Sequence, residues 1–277
     1  MTANVSCSNV TYTLSVNVSG LSGTVVLMNG VDSKIISSNG IQSFTNKVPL
    51  NGSYSVVVDT QPTGQTCAVD NATGTMTANV TLNVTCVNNR NIGGTLSGLR
   101  SGQTLTLQNN GGDDLSVSAN GSFTFATQLA QGATYNVTVK DAQAGQTCLV
   151  LSGAGTVPAA DVTTVNVACT ENTYTIGGTV SNLAAGTSVT LVLNGTADLS
   201  PTTVSANGSF TLSSPLTYGA AYTVTVRNVA QATGVPGISG QPNGYTCTVS
   251  NGSGTVPANN VDTVVVDCGT AATYTIG

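Results

Sequence analysis

The sequence predicts an all-β chain of three tandem seven-stranded β-sandwiches, and three observations predict it. Only 6% of the 277 residues are charged and 40% are hydrophobic, with Thr, Val, Asn, Ser and Gly dominant. That is too apolar for a disordered linker. Short stretches of alternating apolar and polar residues recur throughout, bounded by Gly, Asn-Gly or Pro. The whole pattern is written three times, and such a repeat sets the fold before any local reading does.

The second copy shows the elements in order. Its stretches are roughly 91–98, 103–108, 114–118, 122–127, 134–140, 147–152 and 162–169. Val137 and Val139 alternate with Thr138 and Lys140, so one face is buried and the other wet. Seven such strands in about 80 residues make a two-sheet sandwich. SANGSFTF at 118–125 returns as SANGSFTL at 205–212. Asn120-Gly121 is expected to form a tight type I′ hairpin turn, where both central residues need positive φ. Phe123 and Phe125 then enter the core of the next strand.

The copies are 8–86, 87–169 and 170–268. Ile92 to Ile176 is 84 residues, Asn120 to Asn207 is 87 and Cys148 to Cys247 is 99, so copy three gains a large insertion between Arg227 and Tyr245. That loop, 228–244, holds four Gly and two Pro. Loops on rigid scaffolds carry binding, which makes it the candidate for ligand contact, against a simple loop expansion.

Each copy holds one cysteine pair, separated by 19, 21 and 21 residues. The first member opens the penultimate strand and the second ends the last strand, positions that face each other in an antiparallel pair. The expected bridges are Cys67–Cys86, Cys148–Cys169 and Cys247–Cys268. They imply an oxidising, extracellular compartment. A zinc site would need clustered Cys or His, and no metal or cofactor is expected.

Cys7 is the odd cysteine, unpaired or intermolecular. Residues 1–7, MTANVSC, match the last strand of a preceding copy, and 269–277 match the first strand of a following one. Two accounts stay open: an excerpt of a longer array, or chains joined end to end by terminal strand exchange.

Composition removes several functions. The chain has no His and no Trp, and Glu171 is its one Glu, so Ser-His-Asp and Cys-His catalysis is excluded and no enzyme is expected. Six scattered Lys and Arg against a net charge of −5 give no track for nucleic acid. No apolar run approaches the ~18 to 20 residues of a membrane span. Asp113 and Asp114 in NNGGDDL are the one acidic cluster, better read as a solvated turn than as a calcium site, with only Asp198 near the matching place in copy three. Twelve N-x-[ST] sequons, among them Asn17, Asn51, Asn71, Asn120, Asn136, Asn207 and Asn251, arise readily in so Asn-rich a chain.

The series GGT-[LV]-S-[GN]-L, SANGSF, GQTC and GTVPA with a closing Cys resembles the tandem Ig-like repeats of large bacterial surface and secreted proteins. Its cadence is similar to transthyretin-like and collagen-adhesin B-type sandwiches. Those adhesin domains use a Lys-Asn isopeptide; Lys34, Lys47 and Lys140 fall in different places here, so disulfides stand in for it. The resemblance implies a non-catalytic stalk or filament-forming segment on a bacterial surface, whose partners are copies of itself or neighbouring repeats. The alternative is an adhesin that binds a host or matrix ligand through end loops such as 228–244. Short linkers predict copies held in line, a rod of roughly 100 Å.

Overall fold

The structure is a computed structural model, and it describes residues 9–141, 143–195, 201–227 and 245–270. Its regular elements among those residues are all strands. The chain divides into two compact units, Met1–Leu96 with Thr106–Lys140 and Val150–Val167, and Ser97–Leu105 with Asp141–Leu149 and Ala168–Gly277. The first unit contains copy one and the second contains copy three.

In copy one, one sheet carries Gly40–Ser43, Leu14–Ser19 and Val80–Arg90 side by side, with Gln65–Val69 also paired to Val80–Arg90. The other sheet runs Asp32–Ile36, Val25–Asn29, Ser53–Thr60, Thr73–Thr75. Period-two alternation turns Leu14, Val16, Val18, Leu82 and Val84 inward from the first sheet. They form one core cluster with Val25, Leu27, Ile36 and Val56 of the second and with Met76 just beyond its last strand. Copy three repeats the plan: Gly208–Thr211, Ile176–Ser181, Val261–Thr270, Tyr245–Ser250 in one sheet, Thr202–Val204, Val189–Leu193, Ala221–Val226, Ser253–Thr255 in the other. Its cluster joins Ile176, Val180, Val264 and Val266 to Val189, Leu191, Tyr222 and Val256. The strands of copy two follow the same two orders.

The first and last strands of a copy are neighbours, and in copies one and three they run parallel. Leu14 to Ser19 pair with Val80 to Thr85 without a break. In copy three, Ile176 faces Val261 while Gly178 faces Val264, so the last strand bulges by one residue. A Cβ on Gly178 would collide with the Val264 carbonyl, and Gly94 stands in the same relation to Val165. Copy one has Val16 at this place and no bulge.

Two local expectations change. The Asn-Gly of SANGSF is not a hairpin turn: Asp113–Val117 and Gly121–Thr124 lie in different sheets, so the phrase crosses from one sheet to the other. Gly121 and Gly208 have positive φ but Asn120 and Asn207 do not. The pair of positive φ values sits instead at Asn110-Gly111 (50° and 72°) and Asn194-Gly195 (56° and 75°). Local sequence could not separate these Asn-Gly pairs, because both kinds join short strands and only the sheet assignment differs.

The seven stretches are joined by a short eighth strand, Thr73–Thr75, Ala154–Thr156 or Ser253–Thr255, in the sheet opposite the cysteines. Asn71, Ser152 and Asn251, with φ of 52°, 54° and 55°, mark the switch between sheets. A residue in the left-handed region turns the chain sharply enough to change layers. Phe123 and Phe125 are both buried, their rings edge to face at 6.1 Å.

Candidate functional site: the clamped exit strand

The site that the fold builds is the last strand of each copy and the segment that follows it. Cys67 and Cys86 are directly opposed in the antiparallel register and their sulfurs are bonded, with Cα atoms 3.9 Å apart. Cys247 and Cys268 are likewise opposed and bonded, at 4.0 Å. Cys148 and Cys169 are bonded across 4.0 Å. Cys86 does not end its strand, as the spacing suggests, because the strand runs on to Arg90.

That extension pairs with copy two. Asn89 and Arg90 face Ala130 and Leu129 in antiparallel register. Only Asn91 then separates Val80–Arg90 from the first long strand of copy two, Ile92–Ser97. Entry to copy three has the same form, with Thr173 and Tyr174 facing Thr217 and Leu216. Entry to copy one has Thr11 and Tyr12 facing Pro49 and Val48. One continuous ribbon therefore serves as exit of one copy and edge of the next.

Side chains lock the ribbon. Thr66 Oγ1 donates to Asn89 Oδ1 at 2.7 Å, and Thr147 Oγ1 to Asn172 Oδ1 at 2.8 Å. Asn89 N–H donates to the Gly64 carbonyl and Asn172 N–H to that of Gly145, each at 2.8 Å. Gln65, 5% exposed, accepts from Ser22 N–H at 2.7 Å and donates to the Gly20 carbonyl and Asn88 Oδ1. Gln146, 4% exposed, does the same for Arg100 N–H and the Gly98 carbonyl. Burying an amide without such partners would cost about 1–3 kcal/mol. The repeated GQTC was the visible signal for this glutamine, but spacing pointed to its cysteine.

A second clamp was missed in the phrase SANG. Asn207 Oδ1 accepts from Leu183 N–H at 2.7 Å and Asn207 Nδ2 donates to the Leu183 carbonyl at 3.0 Å. Asn39 holds Leu21 in the same two-point grip. The sequon at Asn207 therefore has its amide engaged, as do those at Asn194 and Asn251.

The junction from copy two to copy three adds charge. Arg100 Nε lies 3.0 Å from Glu171 Oε1, and its guanidinium stands 5.2 Å over the Tyr218 ring. A Cβ on Gly145 would strike that ring. The junction from copy one to copy two uses amides instead, with Gln131 N–H donating to the Asn88 carbonyl. Beside it, Asp161 accepts from the side chain and N–H of Asn91 at 3.0 Å each. Those bonds, with the Arg90 charge behind them, hold its carboxyl below the usual range.

The acidic cluster is divided by the strand that carries it. Asp114 accepts from Lys140 and Gln108, and the Lys140 bond leads in lowering its pKa. Among the described residues, no group of three or more His, Cys, Asp or Glu comes together to hold a metal ion. Cys7, Asp198 and the loop 228–244 lie outside the described residues.

No protein-family model matches the chain, and no curated protein matches it. Solved structures do. The Bacillus anthracis TIE protein shares 15% identity over 93% of this chain and 50% of that one, at a TM-score of 0.42. A streptococcal ancillary pilin shares 13% over 95% and 100%, at 0.26. Two B repeat units of the collagen binding protein of Staphylococcus aureus share 15% over 94% and 76%, at 0.22. The chain spans about half the length of the first of these. At such scores the likeness carries no argument, and the sandwich rests on the sheet order described above.

Proposed function

We propose that this chain is a non-catalytic extracellular structural protein, a stalk or filament-forming segment of disulfide-stapled Ig-like repeats on a bacterial surface. In this reading 8–86, 87–169 and 170–268 are its domains, and its partners are further copies of the same repeat, end to end. One observation carries it: the parallel pairing of first and last strands. Tension that enters at Leu14 and leaves beyond Thr85 acts at opposite ends of one ladder, since Leu14 faces Val80 and Ser19 faces Thr85. The hydrogen bonds are then loaded together in shear. A strand pair pulled from one end would instead open one bond at a time.

Composition supports the same reading, because a chain with no His and one Glu has little acid-base machinery. Pulling the unreduced chain from its two ends tests it. Each copy should resist and then open in a single abrupt rupture. Gradual lengthening at low tension would overturn the proposal.

A further inference from the structure

The ladder and the disulfide of a copy are nested in a way that gives them separate tasks. All of Val80 to Thr85, the residues paired with the first strand, lie between Cys67 and Cys86 in sequence. In copy three the partners Val261, Val264, Val265, Val266 and Asp267 lie between Cys247 and Cys268. Tension leaving through the exit ribbon therefore forks at Cys86 or Cys268. One branch runs through hydrogen bonds to the first strand, and the other through the sulfur bridge to the penultimate strand.

We propose that the ladder sets the tension at which a copy opens, that the disulfide sets how far it opens, and that reduction of the disulfide waits on that opening. This rests on the tension-bearing reading above. When the ladder shears, the chain from the first strand to Cys67 straightens, but the residues between the two cysteines stay in a closed loop. The withheld length is 19 residues in copy one, about 65 Å at ~3.5 Å per residue. In copy three it is 21 residues, about 75 Å on the same scale. The cysteines still hold the hairpin in register, so the copy re-forms with less loop-closure cost than a free chain.

Burial supplies the order of events. Cys67 and Cys86 are 3% and 4% exposed, Cys247 and Cys268 8% and 0%. A thiolate must reach one sulfur directly to exchange with the bond. In closed copies one and three that approach is covered, and shearing of the ladder uncovers it; in copy two Cys148 is half-buried and its bridge is less well covered. A dithiol then attacks one sulfur, forming a mixed disulfide and releasing one cysteine as thiolate. Its second thiol closes the reagent's own disulfide and releases the other cysteine. Two electrons pass from the dithiol to the bridge, and both cysteines take up protons.

The test is constant-tension extension of the whole oxidised chain with and without dithiothreitol. Without it, each copy should open in one short step. With it, each opening of copy one or copy three should be followed, never preceded, by a further step of about 65 to 75 Å. The Cys67→Ser/Cys86→Ser variant should open one copy in a single longer step at unchanged tension without reductant. If that variant does not fold, the natural chain with dithiothreitol decides alone. Long steps before opening, or no second step, overturn the proposal and leave the shear reading standing. Gradual opening at low tension removes the shear reading, while the step lengths still report on the disulfide.

Discussion

Copies one and three reach the same sandwich with different residues at the same places. Where the first strand passes the last, copy one has Ser15-Val16 in an unbroken ladder and copy three has Gly177-Gly178 against a bulge. Where the first strand ends, copy one has Gly20 at φ 72° and copy three has Asn182 at φ 57°. A Cβ on Gly20 would collide with the Cys86 carbonyl. Asn182 carries its Cβ in that conformation and ties its amide to Asp267 at 2.7 Å. Behind the cysteine, copy one has the bracing Gln65 and copy three has Tyr245. What both keep is the opposed cysteine pair, the parallel ladder and the asparagine grip on a leucine. The shared features define the scaffold, and the backbone absorbs the rest through bulges and left-handed residues.

The largest effect should come from exchanging the solutions. Gly178→Val places a side chain on the Val264 carbonyl, so copy three should lose about 4 kcal/mol or more. Val already occupies that place in copy one. Amide exchange resolved by copy would show copy three opening while copy one stays protected. Equal protection in both would mean that the bulge tolerates a side chain.

Next come the bridges. Serine at both cysteines of a copy should cost about 3 kcal/mol, read as a lowered denaturant midpoint. The 19- and 21-residue loops are too alike to separate copy one from copy three. Unequal losses would locate the difference in the strands around the bridge. Asn39→Ala and Asn207→Ala should each cost about 1–3 kcal/mol, because each leaves a leucine N–H and carbonyl without their partner. A neutral result at either position would remove the grip from the shared scaffold.

The smallest effect should be a pH dependence in copy two. Asp161 and Asp114 titrate below their ordinary value in the folded chain. Their contribution is therefore complete above the unfolded carboxylate value and fades as pH falls through the lower folded one, under about pH 4. The matching caps elsewhere are Asn79, which accepts from Thr13 N–H, and Asn260, which accepts from Thr175 N–H. Asp161→Asn should flatten the acid limb of copy two in melts across pH 2 to 6, and an unchanged limb would assign it to Asp114 alone.

The legible parts were those written in periodicity. Alternation marked the strands, and cysteine spacing marked the bonded pairs, two of which oppose each other directly in register. The glutamine and asparagine clamps were present as letters, in GQTC and SANG, without a visible partner. Gln65 reaches Gly20, 45 positions away, and Asn207 reaches Leu183, 24 positions away. No local pattern encodes a contact made by two strands meeting in a third dimension.

By itself the sequence determined an all-β chain, its three-fold repetition, and the absence of histidine that leaves little room for acid-base catalysis. Only the tertiary structure decided that first and last strands run parallel, that SANG crosses between sheets and that the exit strand outruns its disulfide into the next copy. Alternation states which face of a strand is buried, and it is the same whichever neighbour or direction the strand takes. Pairing and direction are settled only when two sheets close over one core.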